Sequence, residues 1–334
     1  MQSKTLNRIL ILGLVLCAVL YTTGLNRHWR RLHSDGPVYL SLARSIVEGK
    51  GYEHNYAPHG KYAPGLPLIL AGVETITWVP QTLHSNFLPL NLTLSLFGFG
   101  SIIFAYLILT QLRLKRTHLL ACLLLFGLSR SLYFYSTHIM TDVPFTFFGL
   151  ATLYCGLRMI RSSDLSSWGW AVGAAVVAVV ASGVRQVGIF LLPSLLLALW
   201  IRSGALEQWK KNIGKTITMI SVPLLPLAFW ALRTTQAAQA GGRSYFRGYF
   251  SDITERLHQL LTIPFIEYGE NAGTLTDLIF GTDVGAIIGT ILIGIMVFGV
   301  LEAIRRREVL LSSYAVINLC VIFAGGWVLK ERYI

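Results

Sequence analysis

The sequence predicts an all-α, polytopic membrane protein. Apolar runs near the length needed to cross a ~30 Å hydrocarbon core recur along the chain. Of the 334 residues, 54% are hydrophobic and 13% charged, against about 25% charge in a soluble domain. Ten-residue segments of alternating polarity, the mark of a membrane β-barrel, are absent from the sequence.

The first span is predicted over 9–25. Lys4 and Arg8 precede it as in a signal peptide, but no A-x-A site follows, so an uncleaved helix is expected. A first outer loop, 26–80, comes next. Its last part, PGLPLILAGVETITWV (64–79), is apolar but short, and it carries Glu74, so it is expected to lie along the membrane interface. Spans two to seven fall within 87–232, at 87–112, 118–135, 143–160, 168–181, 187–201 and 216–232. A second long outer loop covers 233–283, and spans eight and nine fall within 284–329. The expectation is a single transmembrane domain, 1–334, of about nine spans. Arg130 inside the third run is costly in a membrane; Ser129, Arg130 and Ser131 are equally able to end that helix early.

The net charge of +12 would suggest nucleic acid in a soluble protein. Here the basic residues cluster at the ends of apolar runs. Lys4 and Arg8; Arg113, Lys115 and Arg116; Arg158 and Arg161; Arg202, Lys210, Lys211 and Lys215; and Arg305, Arg306 and Arg307 all fall on one side if the N-terminus is cytoplasmic. Most of the sixteen acids then fall on the other side, with both long loops. No nucleic-acid partner is expected, and any chemistry belongs to the outer face. The four cysteines (Cys17, Cys122, Cys155, Cys320) all lie in apolar runs, and neither CxxC nor HExxH occurs, so no disulfide frame or metal site is expected.

Within the first loop, Asp35-Gly36-Pro37 opens a short helix, because proline at the first helical position is preorganised for it. Val38, Leu42, Ala43 and Ile46 recur at helical spacing; Ser41, Arg44, Ser45 and Glu48 form the other face; Gly49 and Gly51 end the run. Such an amphipathic helix suits a membrane surface. The helix dipole favours an ionised Asp35, which then suits acceptance of a proton from an incoming hydroxyl. The other reading of the same residue is a helix N-cap.

The acid after the first span is followed by Tyr39, Leu42-Ala43, Gly49-Lys50-Gly51-Tyr52 and Tyr62-Ala63-Pro64-Gly65-Leu66-Pro67. Further along come Met140-Thr141-Asp142-Val143-Pro144-Phe145, Gly183-Val184-Arg185-Gln186-Val187-Gly188 and Glu331-Arg332-Tyr333. In this order the pieces resemble the polyprenyl-phosphate-sugar glycosyltransferases of the GT-C fold, a family that includes protein O-mannosyltransferases and lipid A aminoarabinose transferases. The resemblance implies that a sugar leaves a polyprenyl- or dolichyl-phosphate carrier and joins an acceptor hydroxyl on a protein or glycolipid, with inversion. It implies Asp35 as general base and Asp142 as a second site acid that orients donor or acceptor. For the lipid phosphate and sugar it points to Arg185, Arg332 with Tyr333, Arg243, Arg247 and Tyr62, since arginine holds phosphate bidentately. Some relatives carry an acid where Tyr62-Ala63 stands, and no metal cofactor is expected to be required, although His33 and His138 lie near the two acids. The implied setting is a bacterial inner (plasma) membrane with a periplasmic active face. The family continues past its Arg-Tyr element with further helices, which this sequence does not carry, so the alternatives are a truncated inactive relative or a flippase for lipid-linked sugars.

Overall fold

The computed structural model describes residues 2–23, 35–77, 87–162, 164–202 and 209–239, together with a few positions between 301 and 315. Most of spans eight and nine and of the second long loop falls outside the described residues.

Helix α1 (Gln2–Thr23) enters the fold. Helix α2 (Gly36–Val47) is followed by a small antiparallel hairpin, β1 (Glu53–His54) paired with β2 (Ala57–Pro58). Asn55 and Tyr56 turn that hairpin with φ of 53° and 62°, the left-handed pair that a two-residue turn requires. Helix α3 (Gly65–Thr77) starts at the PGLP turn. The long helices are α4 (Leu88–Gln111), α7 (Asp142–Arg161), α8 (Asp164–Val184) and α10 (Trp209–Gln239). Among the described residues these four contain the segments long and apolar enough to cross a membrane: Leu88–Gln111, Asp142–Arg161, Ser167–Val184 and Asn212–Gln236. They coincide with the second, fourth, fifth and seventh predicted spans. Many of their large apolar side chains, such as Leu96, Val172, Val176, Ile217, Leu224 and Phe229, face outward. An outward apolar shell has no favourable contact with water and is satisfied by lipid, so the chain is an integral membrane protein.

Two predicted spans take a different form. The 118–135 run is two helices, α5 (Arg116–Gly127) and α6 (Arg130–Ser136). Ser129 breaks it: its hydroxyl accepts the backbone N–H of Leu132 at 3.3 Å and caps a new helix. The 187–201 run opens as a 3-10 turn, Gln186–Phe190, before α9 (Leu191–Arg202). The first predicted span, 9–25, falls for the most part on α1, a single helix of 22 residues. The described residues thus support four of the nine expected spans by length and composition.

The chain forms two compact units, residues 1–192 with 213–245, and residues 193–212 with 246–334. In the first, α7 packs along α8 and α4 along α7. Helix α8 presents Ala171, Ala174, Ala175, Ala178 and Ala181, all fully buried. Small side chains let helix backbones approach closely, which is how helices associate where lipid removes the hydrophobic drive. A second core, of Cys17, Tyr21, Ile102, Leu119, Leu123, Leu132 and Val143, ties α1 to α4, α5, α6 and α7. In the second unit, Ser313 donates to the Ser194 carbonyl at 3.4 Å.

Helices α2 and α3 pack on each other across the end of the first unit. Tyr39, Leu40 and Ala43 of α2 meet Leu66, Leu70 and Ala71 of α3, Leu90 and Leu94 of α4, and Ile139. The apolar face of α2 is thus covered by protein. Ser45, on the face predicted to be polar, is buried, and Arg44 reaches Glu74 of α3 at 3.7 Å.

Candidate active site

Two close backbone approaches build the site. The first is at Gly36, where an added Cβ would sit 3.0 Å from the Ile139 carbonyl oxygen. The second is at Gly65, where it would sit 2.5 Å from the Gly183 carbonyl carbon and the Val184 nitrogen. Only glycine permits that second contact, because a Cβ there would overlap backbone atoms that cannot swing away. The two contacts bring four segments to one end of the bundle: the start of α2, the turn before α7, the PGLP turn and the end of α8.

Asp35 lies just before α2 with helical backbone angles (φ −81°, ψ −8°), and its carboxylate makes no capping bond. Asp35 thus occupies the N-cap position, but its carboxylate does not cap the helix. Its carbonyl takes the N–H groups of Val38 and Tyr39 at 3.0 and 3.1 Å. Its carboxylate Oδ1 instead accepts the phenol O–H of Tyr62 at 2.8 Å.

Asp142 is the first residue of α7, where the helix dipole favours a carboxylate. Its Oδ1 is ion-paired with Nη1 of Arg185. Arg185 ends α8 in an extended conformation (φ −146°, ψ 124°) and caps the 3-10 turn that follows. The two side chains are 18% and 20% exposed, so the guanidinium is held by a carboxylate and is not a helix-end cation reaching for water. The remaining guanidinium N–H donors are arranged as a fork that matches an anion.

Tyr39 links the two halves of the site. It is 4% exposed, and its hydroxyl hydrogen bonds with the side chain of Thr141. Burial, reinforced by the Asp35 carboxylate, pushes that hydroxyl well above the ordinary tyrosine range; the Thr141 bond offsets part of this, Asp142 adds to the rise and Arg185 opposes it. Tyr39 therefore stays neutral. Its place one helical turn after Asp35 was the sequence signal for it.

Tyr62 is fixed from several sides. Its ring stacks on His59 (centroids 5.2 Å apart, planes 18° apart) and tilts against Tyr39 at 5.0 Å. Its backbone N–H donates to Nε2 of His59 at 3.3 Å, and its carbonyl accepts from the Tyr52 hydroxyl at 3.0 Å. Tyr52 meets Trp230 of α10 edge-on at 5.4 Å. His59, which the sequence did not single out, and Tyr52, quoted there as part of the family pattern, are thus the supports of this turn.

The other predicted residues are placed differently or not at all. Nδ1 of His138 lies 2.7 Å from the Phe134 carbonyl oxygen, and its ring stacks on Phe134 at 4.0 Å; it is engaged with its own turn of chain. His33, Arg243, Arg247, Arg332 and Tyr333 lie outside the described residues. Among the described residues no group of three or more His, Cys, Asp or Glu side chains is assembled that could hold a metal ion.

Residues 80–240 match the family model for dolichyl-phosphate-mannose-protein mannosyltransferases. That stretch contains Asp142 and Arg185; Asp35 and Tyr62 precede it. None of the curated proteins compared matches this chain. Among solved structures, the chain is similar to one in the Saccharomyces cerevisiae protein O-mannosyltransferase Pmt1-Pmt2 complex bound to the sugar donor. The TM-score is 0.55 at 17% identity, over 71% of this chain and 34% of that one, so the chain spans about a third of that protein's length. The chain has the GT-C fold and resembles the lipid-phosphate-sugar glycosyltransferases, the protein mannosyltransferases among them.

Proposed function

We propose that this chain is a membrane glycosyltransferase that moves a sugar, mannose by its resemblance, from a polyprenyl- or dolichyl-phosphate to an acceptor hydroxyl on a protein or glycolipid. The observation that supports this reading is that Gly36 against Ile139 and Gly65 against Gly183 and Val184 bring Asp35, with its Tyr62 partner, to the same end of the bundle as the Asp142–Arg185 pair. Asp35 is the general base: it takes the acceptor proton as the acceptor oxygen attacks the anomeric carbon. The bond from that carbon to the phosphate oxygen breaks, and the lipid phosphate leaves with the electron pair. The incoming and outgoing groups lie on opposite faces, so the anomeric configuration inverts.

A phosphate is a good leaving group and does not need the separate acid that an ordinary glycoside requires. It does need positive charge beside it. Arg185 supplies that charge, and Asp142 fixes the guanidinium so that its other N–H donors face the phosphate without reorganisation. The active face is the outer, periplasmic one in a bacterial inner membrane, with the N-terminus cytoplasmic, as the distribution of basic residues favours.

The reading is tested by incubating the purified full chain with polyprenyl-phosphate mannose and a serine/threonine peptide, then determining the configuration at the new linkage. A product of configuration opposite to the donor's is expected. A product that retains it removes the single-displacement mechanism.

A further inference from the structure

We propose that Tyr62 is a positioning residue for Asp35, its phenol holding the carboxylate in place for proton transfer, and that it does not bind the lipid phosphate or the sugar. This deepens the glycosyltransferase reading and rests on it. The resemblance alone grouped Tyr62 with the phosphate- and sugar-binding arginines. In the fold its hydroxyl is committed elsewhere, to Oδ1 of Asp35 at 2.8 Å.

Three features make this contact a device and not a passing bond. First, the carboxylate leaves the usual work of an aspartate at a helix start undone, since it makes no cap bond. Second, the Tyr62 ring has little room to rotate, being stacked on His59 and tilted against Tyr39. Third, the backbone on both sides of the residue is tied down, its N–H to His59 and its carbonyl, with that of Ala63, to the Tyr52 hydroxyl. A base is effective when its own rotamer is locked by surrounding groups. With Oδ1 taken by the phenol, Oδ2 is the oxygen that receives the acceptor proton. Lys61 Nζ lies over the Tyr62 ring, 5.4 Å from its centroid.

Tyr62→Phe keeps the ring and its stacking and removes only the hydroxyl. Transfer from polyprenyl-phosphate mannose to a serine/threonine peptide is measured for the wild type, Tyr62→Phe, Asp35→Asn and the double variant. The inference predicts that Tyr62→Phe lowers kcat by about 10- to 100-fold, the cost of a misplaced catalytic group, with the donor KM within twofold of wild type. In the Asp35→Asn background the same change then has no further effect, because the hydroxyl acts only through the carboxylate. A raised donor KM with unchanged kcat would mean that the phenol binds substrate, and overturns the inference. So does an unchanged kcat, or a full additional loss in the double variant. No turnover by wild type instead overturns the glycosyltransferase reading itself, and full turnover by Asp35→Asn overturns Asp35 as its base and this inference with it. If Tyr62→Phe does not accumulate, 3-fluorotyrosine at position 62 retains ring and hydroxyl while strengthening the donor. It is then expected to lower kcat severalfold with KM unmoved, and unchanged kcat overturns the inference.

Discussion

Arg185 and Asp142 illustrate how a charged pair at a membrane-helix boundary serves two ends at once. The pair is four-fifths buried on both sides, and removing one partner leaves the other as an uncompensated charge. Arg185→Gln is expected to destabilise the first unit by about 1–3 kcal/mol, less than a fully buried pair would lose, and to raise the donor KM. Adding Asp142→Asn should restore the thermal midpoint without restoring transfer. A double variant that stays as unstable as the single one would mean that the pair is not the source of the loss. Residue-scale reading of the sequence was good at finding charges. An acid or an arginine in an apolar chain is conspicuous, and Asp35, Asp142 and Arg185 were all visible as such. It was poor at pairing them. The partners of Asp35 and Asp142 stand 27 and 43 residues away, and nothing local in the sequence encodes which oxygen meets which donor.

At the scale of elements, the site depends on how α3 approaches α8. Gly65→Ala places a methyl against the Gly183 and Val184 backbone, so the helix must shift or strain, an overpacking cost of about 1–3 kcal/mol. Because Tyr62 and Pro64 sit on the same turn, transfer should fall along with stability. An alanine variant with wild-type midpoint and rate would mean that the contact does not set the site. Glu74 of α3 gives a second test. Burial raises its carboxyl above the ordinary 4.5, with Arg44 opposing the rise and Glu48 adding to it. The folded chain therefore holds this proton more tightly than the unfolded chain does. Stability from the protonated form is fully present below pH 4.5 and is lost as pH rises through the elevated folded value. Glu74→Gln should remove that dependence, so its thermal midpoint rises relative to wild type as pH is taken from acid to neutral. Parallel curves would contradict this. The periodicity of α2 was legible, but what covers its apolar face was not, because an amphipathic pattern fits lipid and protein equally well. The break at Ser129 was legible only as one of two options, since a serine carries the same letter in a helix interior and at its cap.

For the whole molecule, the four helices among the described residues that are long and apolar enough to cross a membrane and the clustered basic residues fit the proposed site at one end of the first unit. The β1–β2 turn belongs to that end, and Tyr56 at its tip is 94% exposed. Tyr56→Cys, in a background without the native cysteines, should react with a membrane-impermeant maleimide applied to intact cells. Labelling only after lysis would place the site on the cytoplasmic side and reverse the topology. The central claim is that Asp35 is the base of a lipid-phosphate sugar transfer. It is tested most directly by the release of polyprenyl phosphate from polyprenyl-phosphate mannose, by wild type and Asp35→Asn side by side at saturating donor and acceptor peptide. The account predicts release by wild type and a fall of about 10²- to 10⁴-fold in the variant, the range a positioned general base contributes; equal release by the two proteins would contradict it.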